Sequence, residues 1–306
     1  MKLSVVVIFI ITLLLLTAAN VAYLTDNSNA VEKRLFPQQM NTHVSLPVPP
    51  DTLRILTWNV AHGRGTAFNQ IFVREKTFLS NLDAISKVLR KSQADIVALQ
   101  ELDSASLWSG GFDHSDKIAH DAGYDWKAHA EHASSWLFNF GTAVLSRLPI
   151  ISTSAHRFAP SPPTLRKGFV VSQVVWPHAD HPSDTSTIDV VSVHLDFLQD
   201  ETRASQITEL AERMAESKNP MIILGDFNSE WDAPESSVQA LSERLNLTVY
   251  KPDSTLLETH NSQRIDWILL SPEMEFVNYS VLPDVVSDHQ AVLAEIRFKP
   301  RASSSI

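Results

Sequence analysis

Met221-Ile222-Ile223-Leu224-Gly225-Asp226-Phe227-Asn228 is an apolar run that ends in a glycine, an acid and an amide. Four consecutive apolar residues fit a strand buried on both faces. Side chains alternate along a strand, so Asp226 and Asn228 are expected on the same side of its end, with Gly225 loosening the backbone before them. A carboxylate accepts hydrogen bonds and a carboxamide both accepts and donates, which suits orienting a water and holding a phosphoryl oxygen. Standing alone, Asp-x-Asn is a common turn former. It gains meaning because other strand-like runs of the chain end in polar clusters too.

Working outward, Leu53 to Val60 reads as a strand that carries Trp58-Asn59 to its end, followed by Ala61-His62-Gly63-Arg64. Phe78 to Leu89 is helical, with Leu82, Ile85, Val88 and Leu89 on one face. Asp95 to Glu101 is a second buried strand, ending Gln100-Glu101-Leu102-Asp103. Further strands are expected at Thr142 to Ser146, Gly168 to Trp176 and Ile188 to Val193, the last running into His194-Leu195-Asp196. A helix over Glu201 to Glu216 leads into the strand at Met221. Arg264 to Leu270 carries Asp266, and Gln290 to Phe298 follows Ser287-Asp288-His289. The segment Trp108 to Phe140 shows no clear period and reads as loops with a short helix; the proline-bearing stretches Pro160 to Pro163 and Pro177 to Asp184 read as loop tips. A loose two-half symmetry runs through the chain. Strand, Asn59, helix, strand, Glu101 is answered by strand, His194, helix, strand, Asp226.

Each cluster alone has a bland explanation: an Asn at a strand end makes turns, an acid there is leaving the core, and a histidine can be a satisfied rim residue. Together they describe one polar site assembled from several strand ends. The 306 residues include no cysteine, so disulfides and thiolate metal sites are excluded and any metal must use oxygen or imidazole ligands. A formal net charge of -10 repels polyanions and argues against a dedicated nucleic-acid binder.

Met1-Lys2 precedes an uncharged run from Leu3 to Leu24. That is long enough for a spanning helix of roughly 20 residues and longer than a signal core of about 7–15. An uncleaved anchor is therefore expected, with Thr17-Ala18-Ala19 the alternative site for a signal cleavage that would make the protein secreted. Lys2 alone supplies the inside charge, which puts the body outside the cytoplasm, facing the periplasm or exterior. The expected division is 1–25 anchor or signal, 26–52 linker, 53–300 catalytic domain and 301–306 tail. The proline-, glutamine- and asparagine-rich Leu35 to Pro50 reads as extended linker.

In order, spacing and strand context, Thr57-Trp58-Asn59, Gln100-Glu101, Ser192-Val193-His194, Gly225-Asp226-Phe227-Asn228, Ile265-Asp266 and Ser287-Asp288-His289 resemble the endonuclease/exonuclease/phosphatase superfamily. It includes DNase I-like nucleases, inositol-polyphosphate phosphatases and neutral sphingomyelinases. The resemblance covers Leu53 to about Phe298 and implies an α/β (α+β) four-layer sandwich, two packed mixed β-sheets flanked by helices. Asn59-Val60-Ala61-His62-Gly63 and the N-terminal run are most similar to bacterial relatives of the Cwh43-type C-terminal domain, a group associated with glycosylphosphatidylinositol lipid remodelling in eukaryotes.

The resemblance implies a Mg²⁺- or Mn²⁺-dependent phosphoester hydrolase. Glu101, Asn59 and Asp288 would be metal ligands. Asp226 would orient or deprotonate the attacking water, and Asn228 would grip a phosphoryl oxygen. His289, set by Asp266, and His194 would contact the phosphate, with the general base left open between Asp226 and His289. Arg64 and His62 are substrate-side candidates, Arg64 as a phosphate clamp, and Asp103 and Asp196 could support the site from behind. The expected partners are a phosphoester, lipid-linked or small, and a membrane through the N-terminus, with the protein a monomer. Two alternatives stand beside this reading. One is a secreted metal-dependent endonuclease; the other is a non-catalytic binding module on the same fold.

Overall fold

The computed structural model describes residues 31–35, 37–40, 51–177 and 185–300. Period-two burial of apolar side chains gives each strand an inner and an outer face, and two seven-stranded mixed sheets form. One sheet runs in the order β1 (Val31–Leu35), β7 (Ile150–Arg157), β8 (Gly168–Pro177), β9 (Thr185–His194), β10 (Met221–Asp226), β12 (Asp266–Leu270) and β11 (Thr248–Val249). The other runs β13 (Met274–Val281), β14 (Val292–Phe298), β3 (Leu53–Asn59), β4 (Ile96–Asp103), β6 (Asn139–Ser146), β5 (Trp126–Ser134) and β2 (Gln38–Gln39).

The inner faces meet in a core that includes Leu53, Ile55, Ile96, Ala98, Ile188, Val190, Ile222, Leu224, Ile268 and Leu270. The outer face of the second sheet, with Leu56, Trp58, Val97 and Leu99, is covered by helices α1 (Glu75–Ser92) and α2 (His114–Ala122). On the first sheet, Val191, Val193, Ile223 and Leu269 are covered by α3 (Asp200–Ala215) and α4 (Ser237–Leu245). The four layers are those implied by the resemblance. The two-half symmetry is also real: β3 and β4 pair in parallel around α1, and β9 and β10 pair in parallel around α3.

Several elements differ from the sequence reading. Trp126–Ser134 is a full strand where loops were expected, because Ala128, Ala130 and Ala133 fill the buried positions with small side chains that carry little periodic signal. Strands β7 and β13 and helix α4 were not anticipated either; β7 is rich in Ser and Thr, and β13 lies at a sheet edge, half-exposed along its middle. Val31–Leu35 and Gln38–Gln39, which fall within the expected linker, pair with β7 and β5 at the sheet edges. Among the described residues no helix is long and apolar enough to cross a membrane; the run Leu3 to Leu24 lies outside them.

Candidate active site

The inner faces that are apolar at one end of the sandwich become polar at the other. Along β3 the inward positions read Leu53, Ile55, Thr57, Asn59, and along β4 Ile96, Ala98, Gln100; β9 gives Ile188, Val190, Ser192, His194. On β10 the series Ile222, Leu224 ends at Asp226, and the antiparallel β12 begins at its partner Asp266. The same alternation that builds the core therefore delivers these seven polar side chains toward one end of the cleft between the sheets.

Asp226 is the point of convergence. Its Oδ2 accepts a hydrogen bond from Asn59 Nδ2 at 3.0 Å across the two sheets, and lies 3.5 Å from His194 Nε2 and 3.9 Å from His289 Nε2. Its Oδ1 accepts the backbone N–H of Asn228 at 2.9 Å. Burial pushes the Asp226 carboxyl up, and the neighbouring Asp266 charge pushes it further, to about 7. His289 Nδ1 meets Asp266 Oδ2 at 2.8 Å. Burial alone would lower the His289 imidazole, but Asp266 and Asp226 outweigh it and raise it to about 10, so the ring is charged at neutral pH. Trp58 Nε1 donates to the His289 carbonyl at 2.9 Å, and Ser287 Oγ donates to the Asn59 carbonyl at 2.9 Å, which ties the loop before β14 to β3.

His194 is buried, with its Nδ1 3.5 Å from Lys167 Nζ. Burial, helped by the Lys167 charge, holds His194 well below its ordinary value, so it is neutral. An ammonium can only donate; Nδ1 is therefore the acceptor and the proton sits on Nε2, facing Asp226 and Glu101. Lys167, itself buried and shifted down chiefly by that burial, is a site residue the sequence reading missed. A lysine just before an apolar strand looks like an ordinary solvated end, and only the fold shows it turned inward.

Glu101 leaves the β4 ladder at a register shift between Leu99 and Leu102, with a left-handed φ of 48°. Its Oε2 is 3.4 Å from His62 Nε2 and its Oε1 is 3.9 Å from His194 Nε2. Burial opposes ionisation, but His62, Lys167 and His194 together hold the carboxyl well below the usual carboxylate range. His62, a substrate-side candidate, is buried: Nδ1 meets Asp103 Oδ1 at 2.7 Å, and the other Asp103 oxygen accepts from Trp108 Nε1 at 2.7 Å and from the Ser109 hydroxyl. Asp103 thus does support the site from behind, through His62. Asp196 ties two loops together, accepting from Ser161 and Thr164 of the β7–β8 loop and from the backbone of Leu198 and Gln199 in its own.

Other expected residues sit differently from the alternation argument. Asn228 follows the end of β10 with a φ of 47°, so it is not on the Asp226 face by strand periodicity; its Nδ2 donates to the Leu195 carbonyl at 3.0 Å. Gly225 does not loosen the strand. A Cβ there would lie 2.0 Å from the Val193 carbonyl oxygen, so glycine lets β9 and β10 approach. Arg64 Nη2 pairs with Asp288 Oδ2 at 2.5 Å, which joins the expected clamp to an expected metal ligand.

The donors suit a hard cation. Asp266 Oδ1 is buried without a hydrogen-bond partner among the described residues, and Glu101 faces only imidazoles among its close neighbours. Two trios of donor atoms, Asp226–Asp266–His289 and His260–Asp288–His289, each lie within 4.8 Å of one another. Glu101 belongs to neither trio. Oxygen and imidazole ligands of this kind fit a divalent metal such as Mg²⁺ or Mn²⁺.

The model of the endonuclease/exonuclease/phosphatase family matches residues 56–289, and the chain belongs to that family, whose members are usually phosphoester hydrolases dependent on divalent metals. Over 143 residues it is 32% identical to the protein cwh43 of Schizosaccharomyces pombe, covering 46% of this chain and 14% of that relative's length. Solved structures with the same fold include an endonuclease/exonuclease/phosphatase family protein from Leptotrichia buccalis (17% identity, TM-score 0.62, 80% of this chain and 100% of the other). Another is the mannosyl-6-phosphatase of Bacteroides thetaiotaomicron (18% identity, TM-score 0.60, 80% and 100%).

Proposed function

We propose that the chain is an extracytoplasmic, divalent-metal-dependent hydrolase acting on a lipid-linked or small phosphoester. The observation that carries this reading is the convergence on Asp226 Oδ2 of Asn59, His194 and His289 from both sheets. A carboxylate raised to about 7 is poised to take a proton from water near neutral pH. Asp226 orients the attacking water and accepts its proton, while Asn59 fixes the carboxylate. His289, charged and set by Asp266, donates to a phosphoryl oxygen, and neutral His194 donates a second hydrogen bond from Nε2. Asn228 is half-buried at the mouth, and its amide has a second N–H with which to grip the same group. Negative charge that spreads over the phosphoryl oxygens meets Lys167 and the His289 imidazolium. A divalent cation held by Glu101, Asp288 and the side-chain Oδ1 of Asn59 would supply Lewis-acid polarisation of the phosphoryl group. The acidic chain and the uncharged run Leu3 to Leu24 support a substrate at a membrane over a long nucleic acid, with the N-terminus as tether.

The test is a substrate panel on the full-length protein: a chromogenic phosphodiester, a phosphomonoester, phospholipid and plasmid DNA, each with and without EDTA and with Mg²⁺ restored. Metal-dependent turnover of a small or lipid phosphoester is expected. Full activity after EDTA and dialysis would remove the metal from the reading, and rapid cutting of plasmid alone would move the substrate to nucleic acid.

A further inference from the structure

Large apolar side chains exposed on this protein are not scattered. Phe68 and Phe72 stand on the loop after β3, and Phe68 is fully exposed. Leu107 is on the loop after β4, Trp136 on the turn between β5 and β6 with 74% of its surface open, and Phe197 and Leu198 on the loop after β9. All four loops leave the sheets at the end where Asn59, Glu101 and His194 sit; the β5–β6 turn does so because Phe140 pairs with Asp103. Leu256 and Val285 lie on the loops leading to Asp266 and His289. Away from this end, the exposed large apolar residues among the described residues are Leu79, Ile151 and Val277, each on a different element. Isolated exposed residues are normal, but a ring of aromatic and aliphatic tips around one cleft marks a docking surface.

The path of the chain supplies a second observation. One row of the first sheet pairs Val31 with Arg157, Arg157 with Gly168, Gly168 with His194, and His194 with Asp226. Val31, where the described sheet begins, is thus level with the site and three strands from His194, about 14 Å at the usual strand spacing. Leu24, the last residue of the uncharged run, is seven positions before Val31, a span of at most about 25 Å. A bilayer that holds Leu3 to Leu24 would lie within about 25 Å of Val31, on the row that carries His194 and Asp226.

We infer that the ring formed by Phe68, Phe72, Leu107, Trp136, Phe197 and Leu198 seats the cleft mouth on a lipid bilayer, so that the site receives a phosphoester presented at the membrane interface. Charge identifies the kind of surface. The chain is acidic overall, and near the rim Asp288 pairs with Arg64, Asp284 with Lys91 and Asp200 with Arg203, which leaves those cations neutralised. Docking is therefore by insertion of apolar tips, Trp136 among them, and not by attraction to anionic headgroups. This rests on the phosphoester reading for its consequence but not for its measurement.

The absence of cysteine allows a clean experiment. Phe68→Cys, Trp136→Cys and Leu198→Cys, with Val277→Cys on the edge strand β13 as reference, are each labelled with a polarity-sensitive fluorophore in the full-length protein. The labelled proteins are reconstituted into phosphatidylcholine vesicles containing quencher-bearing lipid. Labels at 68, 136 and 198 are expected to shift to the blue and to lose about half their emission to the quencher, as interfacial side chains do, while the label at 277 stays in water. Replacing about a third of the lipid with phosphatidylserine should not strengthen the quenching. Rim labels as wet as the one at 277 would overturn the inference and leave the ring to a protein partner, and so would quenching that appears only with anionic lipid. No turnover is measured, so a protein that docks but hydrolyses no phosphoester would sink the proposed function and spare the docking surface.

Discussion

The two parallel crossovers, β3–α1–β4 and β9–α3–β10, use the same structural position for opposite purposes. In the first, the paired strand ends set Asn59 against Gln100; in the second, His194 against Asp226. Amides do not titrate near neutral pH, and the first pair serves as a hydrogen-bond frame. Gln100 Nε2 reaches Ser192 Oγ at 3.1 Å and Thr57 Oγ1 at 3.2 Å, and Asn59 spans from Asp226 to the backbone of Ala61. The second pair is made of groups whose protonation burial has moved, Asp226 upward and His194 downward. Holding and proton handling are thus divided between the two crossovers, with His289, on the loop before β14, joining the proton-handling side. Glu101 is the exception in the first half, and it enters the cleft only by leaving the ladder.

If that division is right, the largest losses come from the proton-handling side. Asp226→Ala and His289→Ala should each reduce turnover about 10²–10⁴-fold, the usual cost of a proton-transfer group, with circular dichroism unchanged. Adding Asp266→Asn to His289→Ala should cost little more, because Asp266 acts through the ring it holds. Near-normal turnover by a folded single mutant would break the comparison at its centre.

Glu101→Gln keeps the shape and removes one charge. Activity at low Mg²⁺ should collapse and partly return as the metal is raised, so a metal titration compares the two proteins; an unchanged midpoint would take Glu101 out of the ligand set. Asn59→Ala deletes the cross-sheet bond to a charged acceptor, worth about 1.5–3 kcal/mol, so a loss of about 10–100-fold in kcat is expected. A loss as deep as that of Asp226→Ala would mean that Asn59 contributes chiefly through the metal rather than through this bond. The smallest catalytic effect should come from Gln100→Ala. It strands the buried hydroxyl of Thr57 and takes one of two partners from that of Ser192, which costs about 1–3 kcal/mol in stability, seen as a lower denaturant midpoint with nearly normal kcat.

Strands β3, β4, β9 and β10 could be read from the chain because they are buried on both faces and apolar nearly throughout, and their polar ends stood out by contrast. The site residues on them follow from parity, which is why Asn59, His194 and Asp226 were legible. Asn228 was misjudged in direction, since a positive φ breaks the alternation on which that reading rests. The partners of His62 and Arg64 could not be read from a loop sequence; Asp103 lies 41 residues from His62 and Asp288 lies 224 from Arg64. Lys167 was invisible for the same reason. Strand β5 hid behind alanines and histidines, which bury without a periodic hydrophobic signature.

Asn59 and His289 reach the cleft from one sheet, and His194, Asp226 and Asp266 from the other. Neither sheet owns a working set, so no fragment that carries one of them can be catalytic. The seam between them is also where unfolding becomes visible: a state in which both sheets keep their ladders but part company would retain strand and helix signals and lose turnover at once. Turnover measured through a denaturation curve therefore reports the docking of the two sheets, and its midpoint, set beside that of secondary structure, shows whether the sandwich opens along its middle or comes apart as one cooperative unit.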